Sequence, residues 1–154
     1  MAWGARMTYW LGIDSPEVWA DWAAHNPNYG LNEPVEPVRF GFRERRRKSV
    51  QQIQPGDRII NYMTKGCWLF AVWEVTEKYV YDPNYILAGE VFSECVWTKP
   101  IVMLLPERGI RRRQDNNWGV PSVRMAAVRL DDDAGDKILS VLRQKKAESP
   151  SSSR

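Results

Sequence analysis

The stretch PGDRIINYM, Pro55 to Met63, decides the fold. Pro-Gly-Asp is turn chemistry, and the residues after it have the β-branched and aromatic content of a strand. Ile59, Ile60, Tyr62 and Met63 occupy both parities of that strand, so both of its faces need cover. Asn61 interrupts the apolar run at its middle. The strand therefore raises a question: why a segment buried on both sides carries an amide and a phenol.

Upstream, MTYWLGI (7–13) reads as a strand and ends at Asp14-Ser15-Pro16. Ser15 and Pro16 also start a helix, as N-cap and first helical residue. That helix carries Val18, Trp19 and Trp22 and fades near Asn26-Pro27. Residues 27–37 are a proline-rich loop. VRFGF (38–42) is a short strand, and 43–53 reads as a basic helix with a thin apolar stripe of Val50 and Ile53. Downstream, CWLFAVWEVTEKYVY (67–81) is a long strand, covered on both sides at first and half exposed later. Asp82-Pro83-Asn84 is a turn. Residues 88–104 give one more long strand, or two split at Pro100. An arginine-rich loop follows at 106–119, then a strand or short helix at 122–130. The last element is a helix capped by Asp131 to Asp133, with an apolar stripe of Ile138, Leu139, Val141 and Leu142. Consecutive long strands joined by short turns pair antiparallel. The class is α+β: a small mixed, mostly antiparallel β-barrel flanked by helices. The expected division is a leader at 1–6, one domain at 7–146 and a disordered tail at 147–154.

With 154 residues and 44% apolar content the chain can build one core without staples. Eight tryptophans are the unusual feature, since each brings area and an N–H that wants a partner. Cys67 and Cys95 form no CxxC pair and His25 is the one histidine, so neither a zinc site nor a cofactor is expected. No secretory h-region and no 18-residue apolar run occur, which points to a cytoplasmic protein with no membrane partner. The net charge is only +3, but the basic residues are clustered. Arg43, Arg45, Arg46, Arg47 and Lys48 stand together, and Arg108, Arg111, Arg112 and Arg113 form a second group. Clusters of this kind in a near-neutral chain suggest a local polyanion site.

Five stretches of the chain resemble the EVE domain, a member of the PUA-like group that also holds YTH and ASCH domains. They are TYWLGIDSPEVW (8–19), RFGFRERRRKSVQQIQPGDRIINYM (39–63), FAVWEVTEKYVYDP (70–83), ECVWTKPIVML (94–104) and AAVRLDDDAGDKIL (126–139). The pairing of PGD with YDP at this spacing is the most specific part. Phe40-Gly41-Phe42 stands where the family usually has a tryptophan. The resemblance implies a non-enzymatic reader of DNA or RNA, in which a base is turned out of its stack into an aromatic pocket. 5-Methylcytosine is the first expectation and N6-methyladenine the second. Relatives fused to nuclease parts make a nuclease or restriction-type partner in trans an expectation too.

On that reading the pocket draws its walls from Trp19, Phe40, Phe42, Tyr62, Tyr81 and Trp118. Tyr62 would face the hollow, which answers the question raised by the strand. Asp14, Ser15 or Asp82 would read the base edge, since a carboxylate accepts from an exocyclic amino group. Arg43, Arg46, Arg47 and Lys48 would hold phosphates, with Arg111, Arg112 and Arg113 closing over the strand. Trp10, Trp68, Phe70 and Trp73 are assigned to the core. Two other readings stand beside this one. Some ASCH relatives hydrolyse modified nucleosides with Lys, Thr and Glu, and Lys65, Thr64 and Glu74 are present at a different spacing. Exposed aromatics would also suit a protein-interaction module.

Overall fold

The computed structural model describes residues 7–27, 36–120 and 124–148. The expected leader, part of the proline-rich loop and residues 149–154 of the expected tail lie outside them. The elements are β1 (Tyr9–Asp14), α1 (Pro16–His25), β2 (Val38–Phe42), a 3-10 turn (Glu44–Arg46) running into α2 (Arg47–Val50), β3 (Arg58–Met63) and β4 (Trp68–Tyr81). They continue with β5 (Ile86–Leu87), β6 (Glu90–Val91), β7 (Glu94–Met103), a 3-10 turn (Pro106–Arg108), β8 (Ile110–Arg111), β9 (Arg129–Leu130) and α3 (Asp132–Ala147). The main sheet runs β2-β7-β4-β3-β1-β9, with β8 on β4, while β5 and β6 pair only with each other. The pairs are antiparallel except β1 with β3, which is parallel. The α+β class and the mostly antiparallel sheet are as expected, but the sheet stays open at β2 and β9 instead of closing into a barrel. The expected long basic helix at 43–53 is instead a 3-10 turn and a single α-turn.

The doubled apolar pattern has a direct cause. Each central strand sends alternate residues into one of two cores. On one face Trp10, Ile59, Phe70, Trp73 and Val96 meet Trp22 of α1, Phe40 and Phe42 of β2, and Val50 of α2. On the other, Tyr9, Leu11, Ile60, Tyr62, Leu69 and Val72 meet Ile138, Leu139 and Leu142 of α3. Burial of such side chains contributes about 1.5–3 kcal/mol each, so neither face can be left uncovered. The helix α3 sits close against β1: a Cβ on Gly135 would stand 2.2 Å from the Tyr9 ring. Asp131 caps this helix by accepting from the Ala134 N–H at 3.3 Å, and Lys146 near its end donates to the Met103 carbonyl at 3.0 Å.

The parallel pair is fixed by the PGD turn. Gly56 takes φ +92°, which lets the chain reverse and brings Asp57 under β1. The Asp57 carboxylate is buried and accepts from the Thr8 N–H at 3.1 Å, the Trp10 indole at 2.9 Å and the Gln54 N–H at 2.9 Å. Replacing Asp57 by alanine leaves three donors without their acceptor, each costing roughly 1–3 kcal/mol when buried. Asp57→Ala is therefore expected to lose about 3 kcal/mol or more, read as a lower urea midpoint at unchanged slope.

Candidate nucleic-acid interface

The inner face carries one polar chain among its aromatic rings. Trp73 Nε1 donates to Asn61 Oδ1 at 3.1 Å, and Asn61 Nδ2 donates to Asp14 Oδ2 at 3.0 Å. An indole can only donate, so it fixes which end of the amide faces Asp14. Asn61 is buried mid-strand because this chain satisfies both ends of its amide. The chain forms the floor of a hollow lined by Trp19, Trp22, Phe40, Tyr85 and Phe92 as well as Asp14, Asn61 and Trp73. Trp19 stacks on Trp22 at 5.2 Å and meets Phe70 edge-on at 5.0 Å. Trp22 in turn meets Trp73 edge-on at 5.5 Å. The hollow holds about 20 Å³, room for about one water molecule. A nucleobase therefore enters only if a wall moves.

One wall is the β5–β6 hairpin. It turns through Ala88 and Gly89, both at positive φ. Tyr85 and Phe92 of this hairpin pack on Gly41 of β2, where a Cβ would come within 2.7 Å of Phe92 and 2.8 Å of the Tyr85 ring. Leu87 also packs against the core, and the polar ties to the body are Ala88 N–H to Asp21 at 2.6 Å, Tyr85 hydroxyl to the Arg39 carbonyl at 3.2 Å, and Arg43 to Glu90. Beside the hollow, and sharing Val18, Gly41 and Phe92 with it, lies a second cavity of about 220 Å³ lined by Arg43, Arg45, Arg46 and Arg124.

The residues expected from sequence divide between these places and others. Asp14, Trp19 and Phe40 line the hollow. Ser15, Phe42, Arg43 and Arg46 line the arginine cavity, and Ser15 also caps α1 by accepting from the Val18 N–H at 3.2 Å. Tyr62 is a correction. It points to the α3 face and lies buried in that core, because it has the opposite parity to Asn61. Burial against Cys67 pushes its hydroxyl up to about 12. Asp82 pairs with Arg39 and accepts from the Asn84 N–H at 3.0 Å, outside the hollow. Tyr81 is exposed, with the Arg47 guanidinium 5.2 Å from its ring centre. Arg47 itself is held at 2.8 Å by Glu94, a fully buried carboxylate that also accepts from Tyr79 at 2.6 Å. Two of its nitrogens, Nε and Nη2, are committed to Glu94. Lys48 lines neither cavity.

The second arginine cluster is also a correction. Arg111 lies over Trp68 at 5.0 Å, Arg112 donates to the Val120 carbonyl at 2.7 Å, and Arg113 pairs with Asp115 at 3.3 Å. Trp118 packs on the α3 core under Lys137, 5.4 Å from its ring centre. None of these lines the hollow or the arginine cavity. Thr64 borders the arginine cavity, Lys65 pairs with Glu17 at 3.5 Å and Glu74 is exposed on β4, so the three do not form one constellation. Among the described residues no three His, Cys, Asp or Glu side chains gather to hold a metal ion.

Sequence reading left Trp22 undecided between core and pocket, placed Arg45 with the phosphate-holding arginines, and missed Asn61, Trp73, Tyr85 and Phe92 in the hollow and Arg124 beside it. Asn61 had a signal, being a lone amide in an apolar strand. Arg124 had none, since only the packing of the segment before β9 brings it near the 3-10 turn.

Burial pushes the Asp14 carboxyl up to about 6, against the Asn61 amide, which pulls it down. In the unfolded chain this group titrates near the ordinary aspartate value of 3.8. Between these values the folded state holds the proton more tightly, so stability falls as pH rises from about 4 to 6 and stays lower above. Two units correspond to about 3 kcal/mol. Asp14→Asn is therefore expected to stabilise the protein by up to about 2–3 kcal/mol at pH 7 and by much less at pH 4, measured by urea unfolding at both.

No protein-family model matches the chain, and no curated protein matches it in sequence. Solved structures match it in fold. The YTH domain of the Zygosaccharomyces rouxii MRB1 protein, in complex with N6-methyladenosine RNA, is similar at TM-score 0.62 and 11% identity, over 90% of this chain and 88% of that one. The Mmi1 YTH domain is similar at TM-score 0.63 and 9% identity, over 93% and 79%. A protein from Agrobacterium tumefaciens is similar at TM-score 0.52 and 18% identity, over 90% and 92%. The chain thus has the fold of YTH domains.

Proposed function

We propose that this protein binds nucleic acid and takes one flipped, modified base into the hollow floored by Asp14, Asn61 and Trp73. The observation that carries this is the floor itself: a half-buried carboxylate, held by a buried amide, at the base of an aromatic-walled hollow beside a cavity of arginines. Ring walls supply stacking, worth about 1–3 kcal/mol per base. One Asp14 oxygen takes the Asn61 amide, and the other is left to the occupant. An ionised Asp14 accepts from an exocyclic N–H, and a protonated one donates to a ring nitrogen. The base enters when Trp19 or the hairpin wall swings aside, at a cost drawn from the binding energy. Within the fold group the reading is of an EVE-type module.

N6-methyladenine in RNA is the leading ligand, because the MRB1 structure of the same fold holds N6-methyladenosine RNA. The first expectation from sequence, 5-methylcytosine, has no such support and takes second place. Arg43 and Arg46 serve the phosphates beside the hollow, as the sequence reading had them.

Titration of single-stranded oligonucleotides that differ only in one methyl group tests the proposal. N6-methyladenine RNA is expected to bind about tenfold to a hundredfold more tightly than plain RNA, the range one methyl supports. Trp19→Ala is expected to erase that preference. Equal affinity for plain, N6-methyladenine and 5-methylcytosine strands would sink the modified-base reading. Unchanged binding in Trp19→Ala would leave the aromatic face to a protein partner.

A further inference from the structure

The cavity beside the hollow is lined by four guanidiniums and a single carboxylate. Arg43 precedes the 3-10 turn that carries Arg45 and Arg46, Arg124 comes from the segment before β9, and Glu90 comes from the hairpin. Four positive charges against one negative leave a net +3 on the walls, which concentrates anions there. Ser15 and Thr64 add hydroxyls to the lining. Arg46 is fixed in place, its Nε donating to the Ala126 carbonyl at 2.8 Å and an NH2 to the Ser49 hydroxyl at 3.1 Å. Arg43 lies 4.9 Å from the centre of the Phe92 ring and pairs with Glu90. Both partners of that pair are more than two-fifths exposed, so water and solutes reach it.

We propose that this cavity is the phosphodiester site for the nucleotide next to the flipped base, and that Glu90 occupies it in the free protein as a stand-in for phosphate. A carboxylate and a phosphate offer a guanidinium the same paired acceptor oxygens, so one replaces the other without rebuilding the donor. The phosphate displaces Glu90 from Arg43. Glu90 sits on the hairpin whose Tyr85 and Phe92 wall the hollow, so its release removes one of the polar ties that hold that wall shut. Backbone capture and base entry are then coupled through one ion pair. The proposal rests on the base-reader reading for the neighbour's identity, whereas the anion site itself does not need a base in the hollow. Phosphodiesters of RNA and DNA share the chemistry, and the experiment separates them.

Plain, unmethylated single-stranded RNA and DNA of one sequence are titrated at low ionic strength against the full chain. Glu90→Gln is expected to tighten binding by roughly twofold to fivefold, the span of an exposed pair released. In an Arg43→Gln background the same change is expected to add nothing. Glu107→Gln, which alters net charge equally outside the cavity, is expected to give no comparable gain. Circular dichroism and melting confirm that each variant folds. A gain on RNA alone, DNA alone or both assigns the strand type and supports the site. No gain in folded Glu90→Gln, a gain that survives Arg43→Gln, or an equal gain in Glu107→Gln overturns it. Repeating the titration with methylated strands separates the two ideas. A Glu90 effect without methyl preference keeps this site and sinks the base reader, and methyl preference without a Glu90 effect does the reverse.

Discussion

The parallel pairing of β1 with β3, clasped by the Asp57 carboxylate, is the constraint on which the rest depends. Two parallel strands cannot be joined by a tight turn, so the chain between them must cross a face of the sheet. Here the crossing contains α1, β2 and α2, and it covers the inner core. The hollow is built inside that crossing. Asp14 ends the first strand, Asn61 lies within the second, and Trp19, Trp22 and Phe40 arrive on the connection. The register sets Gly12 against Asn61 and Asp14 against Met63, close enough for the Asn61 amide to reach the carboxylate.

The polar floor and the aromatic walls act on one another. Trp73 is buried and must place its indole N–H, Asn61 accepts it, and the remaining amide hydrogens are turned toward Asp14. Both the oxygen and the nitrogen of the amide are hydrogen-bonded, which offsets the cost of placing it in an apolar core. Asp14 is less well served, since burial opposes its charge and, among the described residues, one side-chain hydrogen bond supports it. An occupant bringing a second hydrogen bond would relieve that imbalance. Around the hollow, the hairpin is the least integrated wall, because its strands pair with each other and not with the main sheet.

Charge follows a different logic. The arginines at 43, 45 and 46 are near one another in sequence, and the turn that holds them spreads them over one cavity wall. Arg47, next in line, is drawn away by the buried Glu94. The arginines of 111–113 are drawn off to Trp68, Val120 and Asp115. Clustering along a chain predicts local positive charge but does not say which guanidiniums are already committed to the protein's own acceptors.

The sequence alone determined the longer strands, the helices after Ser15 and Asp131, the Ser15 cap, the PGD turn and the need for cover on both faces, because periodicity and turn chemistry act over a few residues; the two-residue strands β5 and β8 carry too little pattern to be read. It also determined that Asn61 and Tyr62 face opposite ways, since side chains alternate along a strand. Which of the two faces held the hollow was decided by tertiary structure alone. That choice turns on whether α1 or α3 covers a given face, which is a matter of packing between segments far apart in the chain. The same holds for Trp73, Tyr85 and Arg124: nothing local marks them, and only the crossing connection and the folded-back hairpin bring them to Asp14 and Arg43.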